Sequence, residues 1–379
     1  MRIQMKTKEG PMTSRERVLA ACHHKTPDRV PCDTWFRDDV REKFQAWLGI
    51  KTEEELNKFI GSDLRTIGCK WNNPEYNAKC NGVLGDHVEL TGGRFIFHEN
   101  GVFEDMWGVL QKNGKSGLYT EWVGGPFVDA EDAEELDDFN WPKMEYIEPQ
   151  ESVNKRVQAL RDLGDFAIQG SVSNPYKTSW QVRGMENILC DMLINEDMAI
   201  GLMERFGAYY KEMGCRLVRA GVDIMRIVGD IATQNSLLFS IDVYKRIMKP
   251  VLQDMIHAFK EINPDLLMFF HSDGCLDMVM DELIDTGFDI INPIQPECMD
   301  VFAVKDKYGD KITMHGTVSI QELLPFGSVE DVHREVRKII DYCGRDGGLI
   351  ICPANLIQND TPMENILARY EEVNGHPLR

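Results

Sequence analysis

Residues 266–274 read LLMFFHSDG, five apolar residues that stop abruptly at His271, Ser272, Asp273 and Gly274. An unbroken apolar run of this length predicts a strand buried on both faces, as in a parallel sheet. Side chains alternate along a strand, so His271 and Asp273 fall on the same side. In a parallel sheet, ligands bind at the C-terminal ends of the strands. The segment is therefore a candidate active-site strand.

The same rhythm extends in both directions from it. Strands are predicted at 29–36, 63–69, 167–173, 223–230, 266–273, 289–294, 312–319 and 348–354. Between them lie helices at 38–48, 152–163, 184–194, 197–220, 241–262, 276–286, 301–308 and 329–343. The helix 241–262 is expected to bend near Pro250. A first helix opens at Thr13, with Glu16 at capping-box spacing. A last helix spans 362–373, with Thr361 as its cap. Eight strands alternating with helices predict an α/β fold of the (β/α)8 TIM-barrel type. An open doubly wound sheet fits less well, because no Gly-rich phosphate loop follows an early strand. Residues 71–126, rich in Gly, Asn and aromatics, read as a β-hairpin insertion after the second strand, with alternation at 87–89 and 94–98. The acidic run 129–138 reads as a solvated segment. Residues 1–11 read as a flexible tail ahead of a single domain over 12–379.

Composition narrows the function classes. Lys and Arg number 42 against 62 Asp and Glu, a net charge of −20, which argues against nucleic-acid or anionic-membrane partners. Ten scattered cysteines form no CxxC pair, as expected of free thiols in a reducing compartment. With no apolar N-terminal core and no run of eighteen apolar residues, the expected location is the cytoplasm.

A barrel places its chemistry at the C-terminal strand ends. The polar residues there include Asp33 and Arg37 after the first strand and Asp230 after the fourth. His271 and Asp273 end the fifth, and Asn292 and Gln295 the sixth. His315 is on the seventh, and Asn355 follows the eighth. His271, Asp273 and Asp230 are the candidate catalytic group, through acid–base or metal chemistry. Arg37, Asn292, Gln295, His315 and Asn355 are the candidate substrate-binding residues. As metal ligands, His271 and Asp273 need a third from another strand. Cys352 is the choice carried forward, with Asp230 and His315 as alternatives.

TSRERVLAACHHKTPDRVP at 13–31, HSDG at 271–274, HGTVS at 315–319 and NDTPMENI at 359–366 resemble the uroporphyrinogen decarboxylase superfamily. The resemblance covers nearly everything from Met12 onward and implies a (β/α)8 barrel. One branch of that superfamily decarboxylates uroporphyrinogen and carries an RQAGR motif after the first strand. Here the position reads Arg37-Asp38-Asp39-Val40-Arg41, and the branch's GHG is replaced by Asn355-Leu356-Ile357. The other branch contains methyltransferases of corrinoid-dependent pathways, which bind zinc through an HxC pair and a distal Cys. His271 matches the His of that pair, Asp273 replaces its Cys, and Asn355 stands near the distal Cys, three residues after Cys352. The resemblance thus implies a methyltransferase working with a corrinoid carried by a partner protein and a small-molecule methyl donor or acceptor, with zinc as the candidate metal. That site would be harder than a thiolate one. A homodimer is implied by the decarboxylase relatives. The alternatives are a decarboxylase of the uroporphyrinogen type and a non-catalytic corrinoid- or tetrapyrrole-binding relative.

Overall fold

The structure, a computed structural model, describes residues 11–83, 93–114 and 120–378. Most of the expected tail, 1–10, and the alternation at 87–89 lie outside these residues. Twelve strands are described. Seven form a parallel sheet: β1 (Leu64–Gly68), β7 (Ala167–Ser173), β8 (Ile224–Val228), β9 (Leu267–His271), β10 (Ile290–Asn292), β11 (Thr313–His315) and β12 (Leu349–Ile350), hydrogen-bonded in that order. The other five, β2 (Gly82–Val83), β3 (Arg94–Phe97), β4 (Val102–Glu104), β5 (Leu110–Asn113) and β6 (Thr120–Gly124), make the antiparallel insertion expected after the second strand. Among the described residues, no helix is long and apolar enough to cross a membrane.

The strand expected at 29–36 is reduced to isolated parallel bridges, Cys32 to Ile351 and Phe36 to Ile357. The cause is local. Pro31 has no N–H to give, and the Cys32 N–H is taken by the Asp63 carboxylate at 2.8 Å instead of by a strand. The segment still closes the sheet. On one side Ile351 N bonds Pro31 O and Asp33 N bonds Ile351 O; on the other Asp63 N bonds Cys32 O at 2.8 Å.

Inside the barrel, Leu64, Ala167, Ile224, Leu267, Phe269, Ile290 and Ile350 pack together, and the helix Ser14–Cys22 covers them from below with Val18 and Cys22. That helix has the expected Thr13–Glu16 capping box. It is fastened by two buried carboxylates. Asp63 takes Arg17 at 2.6 Å and Arg29 at 2.8 Å; Asp223 takes Arg15 at 2.8 Å and Arg161 at 2.7 Å. The N-terminal motif at 13–31 is thus the stopper of the closed end of the barrel, opposite the strand ends where chemistry is expected.

The helix expected over 241–262 is α-helical at Ile241–Val243 and Lys249–Ile262, with a π-turn at Tyr244–Met248 between. A prolyl ring at 250 clashes with the carbonyl four residues back, and the wider turn makes room for it. The last helix is Met363–Asn374 and begins at Pro362; Thr361 does not cap it, and its hydroxyl is buried without a partner. The insertion is held to the barrel's helices by aromatic packing, Trp107 lying 5.1 Å from Phe206 and 5.1 Å from Tyr209, and by Trp122 Nε1 donating to Gln181 O.

Candidate active site

Three adjacent strands set the centre of the mouth. In the register of β8, β9 and β10, Val228 lies beside His271 and His271 beside Asn292. Beyond its strand the HSDG segment turns sharply. Gly274 has φ +97°, and a Cβ there would meet Thr233 O at 2.4 Å, so only glycine fits without strain. The turn is clamped by Gln295 Oε1 accepting from Gly274 N, Thr233 O accepting from Cys275 N, and Ser272 Oγ accepting from Ile231 N. The last of these carries Asp230 toward His271.

As a result Asp230, His271 and Asp273 converge, with one potential ligand atom from each lying within 4.8 Å of the others. His271 Nε2 is 3.9 Å from Asp230 Oδ1. Each of the three has one polar atom already oriented by a neighbour. Asp230 Oδ1 accepts from Asp273 N at 2.9 Å, Asp273 Oδ2 from Asn355 Nδ2 at 2.5 Å, and His271 Nδ1 faces Asn292 Oδ1 at 2.5 Å. Burial and the neighbouring Asp230 push the Asp273 carboxyl above its ordinary value, against the pull of His271, Asn355 and Lys177.

A second group lies behind the first. Asp33, His315 and Cys352 also bring potential ligand atoms within 4.8 Å, and all three are buried. His315 Nε2 is 3.1 Å from Asp33 Oδ2, which also accepts from Trp35 Nε1 at 3.0 Å. Burial pushes the His315 imidazole down from its ordinary value, despite Asp33. Burial alone would raise the Asp33 carboxyl; the His315 hydrogen bond, the Thr34 N–H and the Arg226 charge outweigh it and hold it low. Burial raises the Cys352 thiol well above its ordinary value, so it stays protonated.

Asn292 joins the two groups. Its Nδ2 lies 2.7 Å from His315 Nδ1 while its Oδ1 faces His271. The proton positions follow from the ends. A carboxylate only accepts, so neutral His315 carries its proton on Nε2 and gives it to Asp33. Its Nδ1 therefore accepts from the Asn292 amide, and the amide oxygen accepts from His271 Nδ1–H. When His271 is neutral, its Nε2 is left as a lone pair facing Asp230 and Asp273.

The expected third ligand, Cys352, thus stands with Asp33 and His315, while Asp230 completes the His271–Asp273 group. Cys352 follows β12, on the seam where residues 31–33 close the barrel. His315 and Asn292 are fully buried and committed to each other; they support His271 and do not face a ligand as expected. Gln295 and Asn355 hold the HSDG turn and Asp273. Arg37 starts the helix Asp38–Leu48 and bonds Asp39 at 3.1 Å, while Arg41 bonds Asp38 at 2.6 Å. Trp35 escaped the sequence reading. Its ring lies 5.4 Å from His271 and 5.5 Å from His315. Its only signal was a place two residues after Asp33 in the broken first strand.

A cavity of about 620 Å³ opens beside the mouth, lined by Cys298, Met299, Phe302, Thr317, Leu323 and Lys338 among others. None of the Asp230–His271–Asp273 group lines it.

Comparison with known proteins agrees with the architecture. A methyltransferase from Methanosarcina mazei superposes with a TM-score of 0.66 at 17% identity, covering 96% of this chain and 99% of the other. A B12-independent methionine synthase from Shewanella sp. W3-18-1 gives a TM-score of 0.46 at 13% identity, over 93% of this chain and 95% of the other. At such identities the first likeness speaks to fold alone. No curated protein matches the sequence. The profile for uroporphyrinogen decarboxylase (URO-D) matches residues 94–376, most of the barrel and its mouth, and the chain belongs to that family.

Proposed function

We propose that this chain is a metal-assisted methyltransferase, exchanging a methyl group between a small molecule and a corrinoid carried by a partner protein. The observation that supports it is the convergence of Asp230, His271 and Asp273 within 4.8 Å at the mouth. The donor set fits a divalent cation such as zinc: one imidazole nitrogen and two carboxylates. The surrounding hydrogen bonds fit as well, since each carboxylate keeps one oxygen beyond the one its neighbour orients, and the His271 tautomer is fixed from behind. A cation held there would supply Lewis acidity to the ether oxygen or amine nitrogen of a methyl donor.

The chain's own residues do the rest. Asn292 and His315 hold the His271 ring; Gln295 and Gly274 hold the turn that carries Asp273. Two carboxylates side by side with a raised Asp273 form a cation-seeking pair. A decarboxylase of the uroporphyrinogen type gains less support. Its arginine positions are turned onto Asp38 and Asp39. Asp63, just before β1, is locked into the closed end by Arg17 and Arg29 and faces no ligand at the mouth.

The test mixes the purified protein with a corrinoid protein in its cobalt(I) state and with candidate ethers, amines and thiols, following the cobalt spectrum. Methylation of the corrinoid, lost on chelation and regained with zinc, is the expected result. Absence of bound metal at any stoichiometry, or no spectral change with any donor, would overturn it.

A further inference from the structure

We infer that the barrel lumen below the His271 group is a subsite for the carboxylate of a small ligand. The period of β1 places Leu64, Thr66 and Gly68 on one face, and Leu64 belongs to the interior cluster. Thr66 therefore faces the lumen at mid-strand, where a filled barrel would bury it, yet Thr66 is exposed. The lumen is open to solvent down to that level.

The groups around the opening suit an anion. Gln169 is the register partner of Thr66; it is fully buried, its Nε2 reaches Thr66 Oγ at 3.5 Å, and its Oε1 has no partner. Rotating that amide by half a turn presents Nε2 instead, while the Thr66 hydroxyl serves either way. On the next strand Arg226 pairs in register with Ser171, whose Oγ lies 3.3 Å from both Nε and Nη2. The guanidinium lies over Trp35, 5.0 Å from the ring centroid. A planar fork of donors held over an indole, with hydroxyls and an amide beside it, matches a carboxylate better than a neutral group.

Strand register sets the distance to the reactive centre. Arg226 pairs with Phe269, two residues before His271 on the same face of its strand, a span of roughly 7 Å, and Trp35 neighbours both Arg226 and His271. A ligand anchored on Arg226 reaches His271 with its far end if it has the length of a short acyl chain or one benzene ring. Joined to the methyltransferase reading, on which this last step rests, the substrate class is a small carboxylic acid bearing a methyl ether. The carboxylate subsite itself does not depend on that reading.

Calorimetric binding of methoxyacetate and 4-methoxybenzoate to the full chain, with the corresponding amides as neutral controls, tests the subsite with no metal or corrinoid present. At least one acid should bind tenfold or more tighter than its amide. Arg226→Lys should erase most of that preference, and Thr66→Val, at an exposed position that leaves the fold intact, should weaken the acid several-fold. Equal binding of acid and amide, or acid binding unchanged in both variants, would overturn the subsite; a lowered melting temperature in Arg226→Lys with unchanged binding would mark Arg226 as a counter-charge to Asp33 alone. Acid binding, with no methyl transfer in the corrinoid assay from these acids or any other donor, upholds the subsite and removes the methyltransferase reading. Transfer from amides as readily as from acids does the reverse.

Discussion

Two groups of nearly the same composition sit back to back in this barrel. Asp230, His271 and Asp273 face the mouth; Asp33, His315 and Cys352 lie behind them, buried. What separates them is commitment. In the rear group the His315 nitrogens are both used, by Asn292 and Asp33, and the thiol is kept neutral by burial. In the front group the neighbours orient one atom of each residue, and one potential ligand atom from each still lies within 4.8 Å of the others. On the proposed reading, one set of metal-ligating residue types serves as a binding site in one case and as a bracket in the other. Hydrogen bonds decide which.

The sharpest break comes at His271. His271→Ala removes the one nitrogen ligand and should lower zinc affinity by on the order of 100-fold or more, with loss of corrinoid methylation, since even outer-shell partners of ligands are worth 10–100-fold. Metal titration by competition with a chromophoric chelator reads this directly. Unchanged affinity would mean that the cation, if any, sits in the rear group.

Asn292→Ala comes next. It cuts the link between the groups and frees the His271 ring to rotate, so zinc affinity should fall roughly 10–100-fold with all three ligands present. It also leaves buried ring nitrogens without partners, which costs about 1–3 kcal/mol of stability by chemical denaturation. A stability loss with unaltered affinity would show that Asn292 only fills space.

Cys352→Ser sharpens the comparison by what it leaves alone. Zinc affinity should stay within about threefold of the parent, because the thiol stands with Asp33 and His315, while burying a hydroxyl in its place costs about 1–3 kcal/mol of stability. A fall as large as that of His271→Ala would restore Cys352 as the third ligand, as the sequence alone suggests.

That difference marks how far the sequence could be read. HSDG disclosed its strand, its shared face and its place at the mouth, because period-two alternation is local information. Most strands and helices from 167 onward were legible for the same reason, but the helix Pro175–Arg183 was not predicted. The third partner of His271 was not, because it depends on how the 230–233 loop is drawn in by Ser272 and on which side of a closure seam Cys352 falls; both are tertiary facts. Residues 29–36 misled by their alternation. Pro31 and the Asp63 carboxylate take away the donors that a full strand would need, and Asp33 and Trp35 bond each other on one face. Trp35 was hidden by the same break.

Asp105 offers the smallest effect and the cleanest control on the role of partners. Asp33 is a buried carboxylate held low by His315, Thr34 and Arg226. Asp105, at the turn between β4 and β5, has no cation or imidazole of that kind. Its Oδ1 accepts from Trp107 N at 2.8 Å and Val109 N at 3.0 Å, yet burial pushes its carboxyl up to about 7. The folded value lies above the unfolded one of about 3.9, so the folded chain holds the proton more tightly. Its contribution to stability is therefore fully present below pH ~4, declines as pH rises, and is gone above about 7. Both hydrogen bonds end on one oxygen, which an asparagine supplies equally well. Asp105→Asn should match the parent near pH 4 and exceed it increasingly up to pH 8, a difference of a few degrees in Tm, while zinc affinity at the mouth stays constant. Parallel melting curves for the two proteins across that range would show instead that water reaches the Asp105 carboxylate, and that burial without a partner does not set its titration.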